Sequence, residues 1–215
     1  FIDKMGPRTV MMVGGIVVGL GWILTKFAGS MTMVVITYGI IGGAGVGIVY
    51  GGPVSVATKW FPDKKGLAVG LSLLGFGASA FVTAPLAKNL IASSGPLNTF
   101  MYMGFGFLIV TVVLSSFMRF PPPNYKPAGW NPPQPAGGVA AKVFTTGSML
   151  STASFYGLWL CYTIGTTAGL MAIGISATVG REVISLDIGT AAFLVSIFAI
   201  FNGIGRPIFG ALSDK

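Results

Sequence analysis

Near the C-terminal end, the run NGIGRPIFG sets one arginine, Arg206, inside an otherwise apolar stretch, with Asn202 four residues before it. Residues four apart on a helix share a face, so the amide and the guanidinium project together. A guanidinium stays charged whatever surrounds it. At the centre of a membrane helix it costs about 2.5–3.5 kcal/mol on insertion scales, and something must offset that cost. A carboxylate does so, because its two oxygens match the planar fork of the guanidinium. Asn202 can bond a second oxygen or a hydroxyl of the same anion, or orient the arginine. Two blander readings compete: Arg206 snorkels to the headgroups or pairs with another helix, and Asn202 only bridges two helices. Pro207 follows directly. It lacks an N–H and frees the carbonyl of Gly203, which usually kinks a helix.

Other residues reach the same depth. Arg206 precedes Asp214 by eight residues, about 12 Å of helix, against a membrane half-thickness of about 15 Å. Tyr50 stands about 13 Å from Lys59, and Phe76 about 16 Å from Lys65, on the same rise per residue. Trp159 and Tyr162, with Thr166 one turn on, fall mid-way along a further apolar run. Aromatics at that depth do not belong to the interfacial belt. They suit a mostly apolar pocket with a few aimed polar groups, although each is also compatible with ordinary helix packing.

The elements that must carry these residues are membrane helices. The chain has 215 residues, 53% hydrophobic and 8% charged, with mean hydropathy +0.82, where a soluble domain carries about 25% charged residues. Six apolar stretches, approximately 9–27, 32–57, 66–88, 97–118, 150–179 and 189–212, are each long enough to span a bilayer, which takes about 20 residues. They are too long and too uniformly apolar for barrel strands. The expected fold class is therefore an all-α membrane protein with six transmembrane helices.

Charge gives the orientation. The net charge is +8, which in a soluble chain would suggest nucleic acid. Here the excess is topological. Lys4, Arg8, Lys59, Lys64, Lys65, Arg119, Lys126, Lys142 and Lys215 fall at one set of ends, and only Lys26, Lys88 and Arg181 at the other. The positive-inside rule places the first set in the cytoplasm. Residues 119–148 hold seven of the thirteen prolines, which favour extended polyproline II over packed helix. The expected division is thus four spans over 1–118, a cytoplasmic linker over 119–148, and two spans over 149–215. The chain opens on Phe1, with no signal peptide, and is expected to be part of something longer.

Several chemistries are not expected. There is no histidine and a single cysteine, Cys161, so a zinc or haem site has no ligand set. The glycines sit inside spans with no preceding strand, unlike a nucleotide-binding loop. Glu182 and Asp187 share a short outer loop without a base or nucleophile partner, so an enzyme is not expected. No cofactor, metal or nucleic acid is expected; the expected partners are a small carboxylate and the bilayer. Gly39, Gly43, Gly47 and Gly51 recur every fourth residue, and such GxxxG units let helices approach closely. Gly66, Gly70, Gly75 and Gly77 are the expected facing surface. Asp63, just ahead of Gly66, is expected to gate or to cap the next helix.

FIDK opens the chain and LSDK closes it, with Asp3 and Asp214 separated by 211 residues. A repeat unit of several helices suggests a transporter of two parallel halves. At this point the residues resemble the major facilitator superfamily, which carries G-x-L-x-D-x-x-G-R between its second and third helices and again between the eighth and ninth. DKMGPR, with Asp3, Gly6 and Arg8, is similar to the first copy, although Pro7 interrupts it, and GALSDK to the start of the second. The resemblance implies helices three to eight of a twelve-helix fold. YGGPVSVATKWFPDKKGLAVG resembles the oxalate:formate antiporter family, and NGIGRPIFG is similar both to that family and to monocarboxylate transporters.

The resemblance implies an alternating-access carrier of small organic anions in the cell inner membrane, proton-coupled, with a monocarboxylate of lactate, pyruvate or formate type ahead of an oxalate:formate-type exchange. A channel or structural protein is the other class. The resemblance also supports Tyr50 and Phe76, since oxalate transporters line their site with aromatics from these two helices. Animal monocarboxylate transporters carry an aspartate where Asn202 stands. Asparagine cannot take a proton, so a proton acceptor lies elsewhere.

Overall fold

The computed structural model describes residues 2–131 and 145–214. A short helix α1 (Ile2–Met5) leads into α2 (Pro7–Thr25), followed by α3 (Met31–Trp60), α4 (Lys65–Ser94) and α5 (Pro96–Ser115). After the proline-rich stretch come α6 (Thr146–Leu150), α7 (Ala153–Glu182) and α8 (Ile188–Ser213). Six of these, α2 to α5, α7 and α8, are long and apolar enough to cross a membrane, matching the six apolar stretches. No strand occurs among the described residues. Many large apolar side chains remain exposed on the helix surfaces, as a hydrocarbon surrounding permits.

The chain divides into two compact units. One comprises Phe1–Pro127 with Ala199–Lys215; the other is Ala128–Phe198. In the first, α2 is the central helix, and glycine makes it so. A Cβ at Gly14 would lie 2.8 Å from Ile48 and Val49 side chains of α3, and one at Gly21 would lie 2.5 Å from the Gly42 nitrogen. On its other side, Gly15 and Gly19 receive Thr111 and Leu108 of α5. Across from α2, the α3 glycines that admit a neighbour are Gly45, against Val18, and Gly52, against Met11. The every-fourth-residue set behaves differently from expectation. Gly43, Gly47 and Gly51 have nothing within 4 Å of a built Cβ, and Gly39 meets only Val35 of its own helix, at 4.0 Å. Regular spacing marks one face of a helix, but not which neighbour covers it.

Residues Val35–Gly42 of α3 form a π-helical stretch. Polar bonds anchor it: the Thr37 hydroxyl donates to the Met33 carbonyl at 2.8 Å and lies 2.9 Å from the Thr25 hydroxyl of α2. The looser winding brings Tyr38 edge-on to Trp22 at 5.1 Å and to Phe100 of α5 at 5.3 Å. At the start of α2, Gly6 has φ 79°, a region open chiefly to glycine. It separates α1 from α2, whose first position is Pro7, where a missing N–H costs nothing.

The proline-rich stretch begins as part of the first unit. The Trp60 Nε1–H donates to the Arg119 carbonyl at 2.9 Å, and the Trp60 ring meets Tyr125 edge-on at 5.1 Å. Lys59 sits 3.7 Å over the Phe120 ring. Replacing Trp60 by leucine removes a hydrogen bond and an aromatic pair, each worth about 1 kcal/mol. Tryptic cleavage after Arg119 in the folded protein is then expected to run about tenfold faster or more; an unchanged rate would mean the stretch is held by other contacts.

In the second unit, α7 is joined to α8 by a tight loop. Ser185 adopts φ 56°, and the Leu186 N–H returns to the Gly180 carbonyl at 2.9 Å. Asp187 caps α8: its carboxylate accepts from the Gly189 and Thr190 N–H groups at 2.8 and 3.0 Å and from the Thr190 hydroxyl. The Thr190 hydroxyl, foremost, and these amides hold the Asp187 carboxyl below its ordinary value.

Candidate functional site

The candidate site is built from α4 and the Ala199–Ser213 part of α8, which meet glycine to glycine. A Cβ at Gly70 would fall 2.5 Å from the Arg206 carbonyl oxygen and 2.7 Å from the Pro207 Cα; one at Gly77 would fall 2.6 Å from the Gly203 Cα. Gly66 and Gly210 abut backbone to backbone. Three α4 glycines therefore serve α8, and Gly75 faces open space. The expected pairing of this set with the α3 stripe is replaced by a pairing with α8.

This approach brings Arg206 onto α4. Its Nη2 donates to the Asn202 Oδ1 at 3.3 Å, and its guanidinium carbon stands 5.2 Å from the centroid of the Phe76 ring, within cation–π range. Its Nε is buried and has no hydrogen-bond partner among the described residues. An unmet buried donor costs about 1–3 kcal/mol, more when charged. Tyr50 of α3 meets the Phe76 ring edge-on at 5.6 Å. Four of the residues singled out by type and depth, Arg206, Asn202, Phe76 and Tyr50, are thus linked in one chain of contacts.

Two hollows flank that chain. Tyr50 and Phe76 line a cavity of about 480 Å³ together with Trp22, Tyr38, Ser79 and Thr83. Arg206 lines a shallower one of about 450 Å³ with Lys65, Gly70 and Phe209. Phe76 is common ground: its ring lies under the guanidinium and forms a wall of the larger space. The Trp22–Tyr38–Phe100–Phe107 cluster beside it, with Trp22 and Phe107 4.9 Å apart, had no signal in sequence spacing, since its members come from three helices.

The remaining expected residues take other positions. Tyr162 lies on α7 in the second unit, as do Trp159 and Thr166. Asp214 reaches the start of α4: its Oδ1 accepts from the Gly66 N–H at 2.7 Å and its Oδ2 from the Leu67 N–H at 2.8 Å. These are amides of the first helical turn, which have no partner within the helix, and the helix dipole favours an anion there. Asp63 does not cap α4. Lys64 occupies the N-cap position with no side-chain bond, so Asp63 stands one residue too early, and Asp214 supplies the acceptors. Asp63 instead lines a cavity of about 530 Å³ with Trp60, Lys64 and Tyr125. In the first motif copy, Asp3 pairs with Lys59 of α3 at 2.5 Å. Hydrogen bonding and charge from Lys59 hold the Asp3 carboxyl below its ordinary value. Arg8 makes no ion pair among the described residues. In the sequence Lys59 reads as a topological charge ahead of a cytoplasmic gate contact; its partner, Asp3, depends on the fold.

Among the described residues, no cluster of three or more candidate metal-binding side chains occurs.

Comparison with known proteins agrees with this architecture. The family model for the Major Facilitator Superfamily matches residues 1–215. The oxalate:formate antiporter of Oxalobacter formigenes is 36% identical over 217 residues, covering 100% of this chain and 49% of that protein. An uncharacterized MFS-type transporter of Escherichia coli is 26% identical, covering 99% and 51%. Monocarboxylate transporter 13 of Rattus norvegicus is 30% identical, covering 98% and 46%. The chain spans about half the length of these relatives. With six membrane-length helices and a family match along the whole sequence, the chain belongs to the major facilitator superfamily of multi-pass membrane proteins.

Proposed function

We propose that this chain is helices three to eight of a secondary transporter for small organic anions that works by alternating access, with Arg206 as the anion-binding group. The observation that carries this is the Arg206 guanidinium itself: fixed by Asn202 and Phe76, with its buried Nε still lacking a partner among the described residues. A carboxylate oxygen supplies that partner and neutralises the charge. Asn202 holds the guanidinium, and Tyr50 and Phe76 form apolar walls. A single cation in the interior of a span suits a monocarboxylate, and proton coupling then needs an acceptor other than Asn202. The lysine-rich ends and the proline-rich stretch lie on the cytoplasmic side of the inner membrane, and that stretch joins two halves. Asp3, Gly6, Arg8, Asp63 and Asp214 belong to the cytoplasmic gate.

A second reading, exchange of a dicarboxylate for a monocarboxylate, is favoured by the 36% identity to the oxalate:formate antiporter. It requires a second cation.

The full-length protein in liposomes separates these readings. Uptake of labelled formate, lactate, pyruvate and oxalate is measured with and without a pH gradient, and again with unlabelled substrate inside. Trans-stimulation is expected for a carrier and not for a channel. Acceleration of lactate by an inward proton gradient favours the first reading; oxalate–formate counterflow insensitive to pH favours the second. Failure to take up any of the four sinks the anion assignment.

A further inference from the structure

The neighbour of Phe76 on α4 is Gly77. A Cβ built there lies 2.8 Å from the Asn202 Oδ1, the atom that accepts from Arg206, and 2.6 and 2.8 Å from the Cα and N of Gly203. Real Cβ atoms essentially never come within 3.0 Å of another heavy atom, and here the obstacle is partly backbone. The contact is reciprocal: a Cβ at Gly203 meets the Ala78 Cβ and N at 3.0 Å. Two consecutive α4 residues thus act on one guanidinium. Phe76 offers it a ring face at 5.2 Å, and Gly77 leaves the gap in which its amide partner sits.

We propose that Gly77 is a positioning residue for the anion site: its missing side chain seats the Asn202 amide, and through that amide sets which donors of Arg206 face the substrate. This rests on the reading of Arg206 as the anion-binding group. Nη2 is shared with Asn202, whereas Nε is buried without a partner among the described residues. The seated amide keeps the guanidinium plane against Phe76 and leaves the Nε edge for a carboxylate oxygen. A methyl at position 77 moves the Asn202 oxygen by several tenths of an ångström. Its bond to Arg206, already 3.3 Å long, passes the limit of a hydrogen bond, and the fork loses its aim. Gly75, two residues earlier on the same helix, has nothing within 4 Å of a built Cβ, so a methyl there tests helix propensity alone.

The test uses the full-length protein in detergent and in liposomes, with lactate and oxalate as probes. Gly77→Ala is expected to weaken equilibrium binding of the transported probe by about tenfold, the value of a lost hydrogen bond to a charged group. Gly75→Ala is expected to bind as the parent does. The readout that a merely structural role would not give is the double substitution. In an Asn202→Ala background, Gly77→Ala should weaken binding by clearly less than it does in the parent, because the Asn202 Oδ1 contact is already gone and only the contact with the Gly203 backbone remains. If Gly77→Ala does not fold, Asn202→Gln is read instead. It drives an extra methylene into the same gap with the α4–α8 backbone contact intact, and about tenfold weaker binding is again expected. Parental affinity in the variant that is read, or fully additive losses in the double substitution, overturns the proposal. If the parent binds neither of these probes, nor formate nor pyruvate, it is the anion reading that has failed.

Discussion

Replacing Arg206 by lysine is expected to remove at least nine-tenths of carboxylate uptake by the full-length protein, with the amount of membrane-inserted protein unchanged. Lysine keeps the charge, so a purely topological or snorkelling arginine would tolerate the change. It lacks the planar fork and the Nε–H, and a flexible ammonium neither lies flat on Phe76 nor holds two carboxylate oxygens in fixed directions. One charge-assisted hydrogen bond is worth about 1.5–3 kcal/mol, or about 10- to 150-fold in affinity. Uptake into liposomes, normalised to protein recovered, is the measurement. Activity within about twofold of the parent would transfer Arg206 from the site to the scaffold.

The second large effect is expected at Asp214. Its two oxygens take the Gly66 and Leu67 amides at 2.7 and 2.8 Å, so one carboxylate ties the end of α8 to the start of α4, next to the Gly66–Gly210 abutment. Asp214→Ala strips both acceptors. Loss of such a cap costs about 0.5–2 kcal/mol, with about 0.3–1 kcal/mol more from the unscreened helix dipole. The closed seam should then open more often by about four- to 150-fold. A cysteine at Ser213, whose hydroxyl lies where a Gly66 Cβ would fall, reports this in a Cys161→Ser background. Its labelling by a water-soluble thiol reagent should accelerate by that factor in Asp214→Ala. Unchanged labelling would mean that the glycine contact alone keeps the seam shut. Asp214→Asn is expected to fall between, since one amide oxygen remains but the charge is gone.

Both predictions rest on residues that stand out in the sequence, but whose partners the sequence does not specify. Arg206 was legible because a charge in an apolar run is costly wherever it sits. Asp214 was legible as half of a distant repeat with Asp3, but its partners were not. The capping role expected of Asp63, from proximity to Gly66, belongs to a residue more than a hundred positions away. Proximity along the chain predicts local caps, and at the start of α4 the Pro62–Lys64 turn leaves Asp63 one place short. Likewise, the every-fourth-residue glycines of α3 gave a clean periodic signal and face open space, while Gly45 and Gly52 make the contacts with α2. The π-helical stretch at Val35–Gly42 shifts which α3 residues share a face, and nothing in VITYGIIG announces it.

By itself, the sequence determined the class of environment, the six spans and the presence of one unavoidable cation. Those follow from hydrophobicity and charge, which are properties of residues taken singly or in runs. Tertiary structure alone decided that Arg206 rests on Phe76, that Asp214 rather than Asp63 closes the start of α4, and that Gly66, Gly70 and Gly77 are the surface against which α8 lies. These depend on which helix faces meet. In a chain where nearly every face is apolar, pattern cannot distinguish one facing from another; fit between backbones, set by where side chains are missing, does.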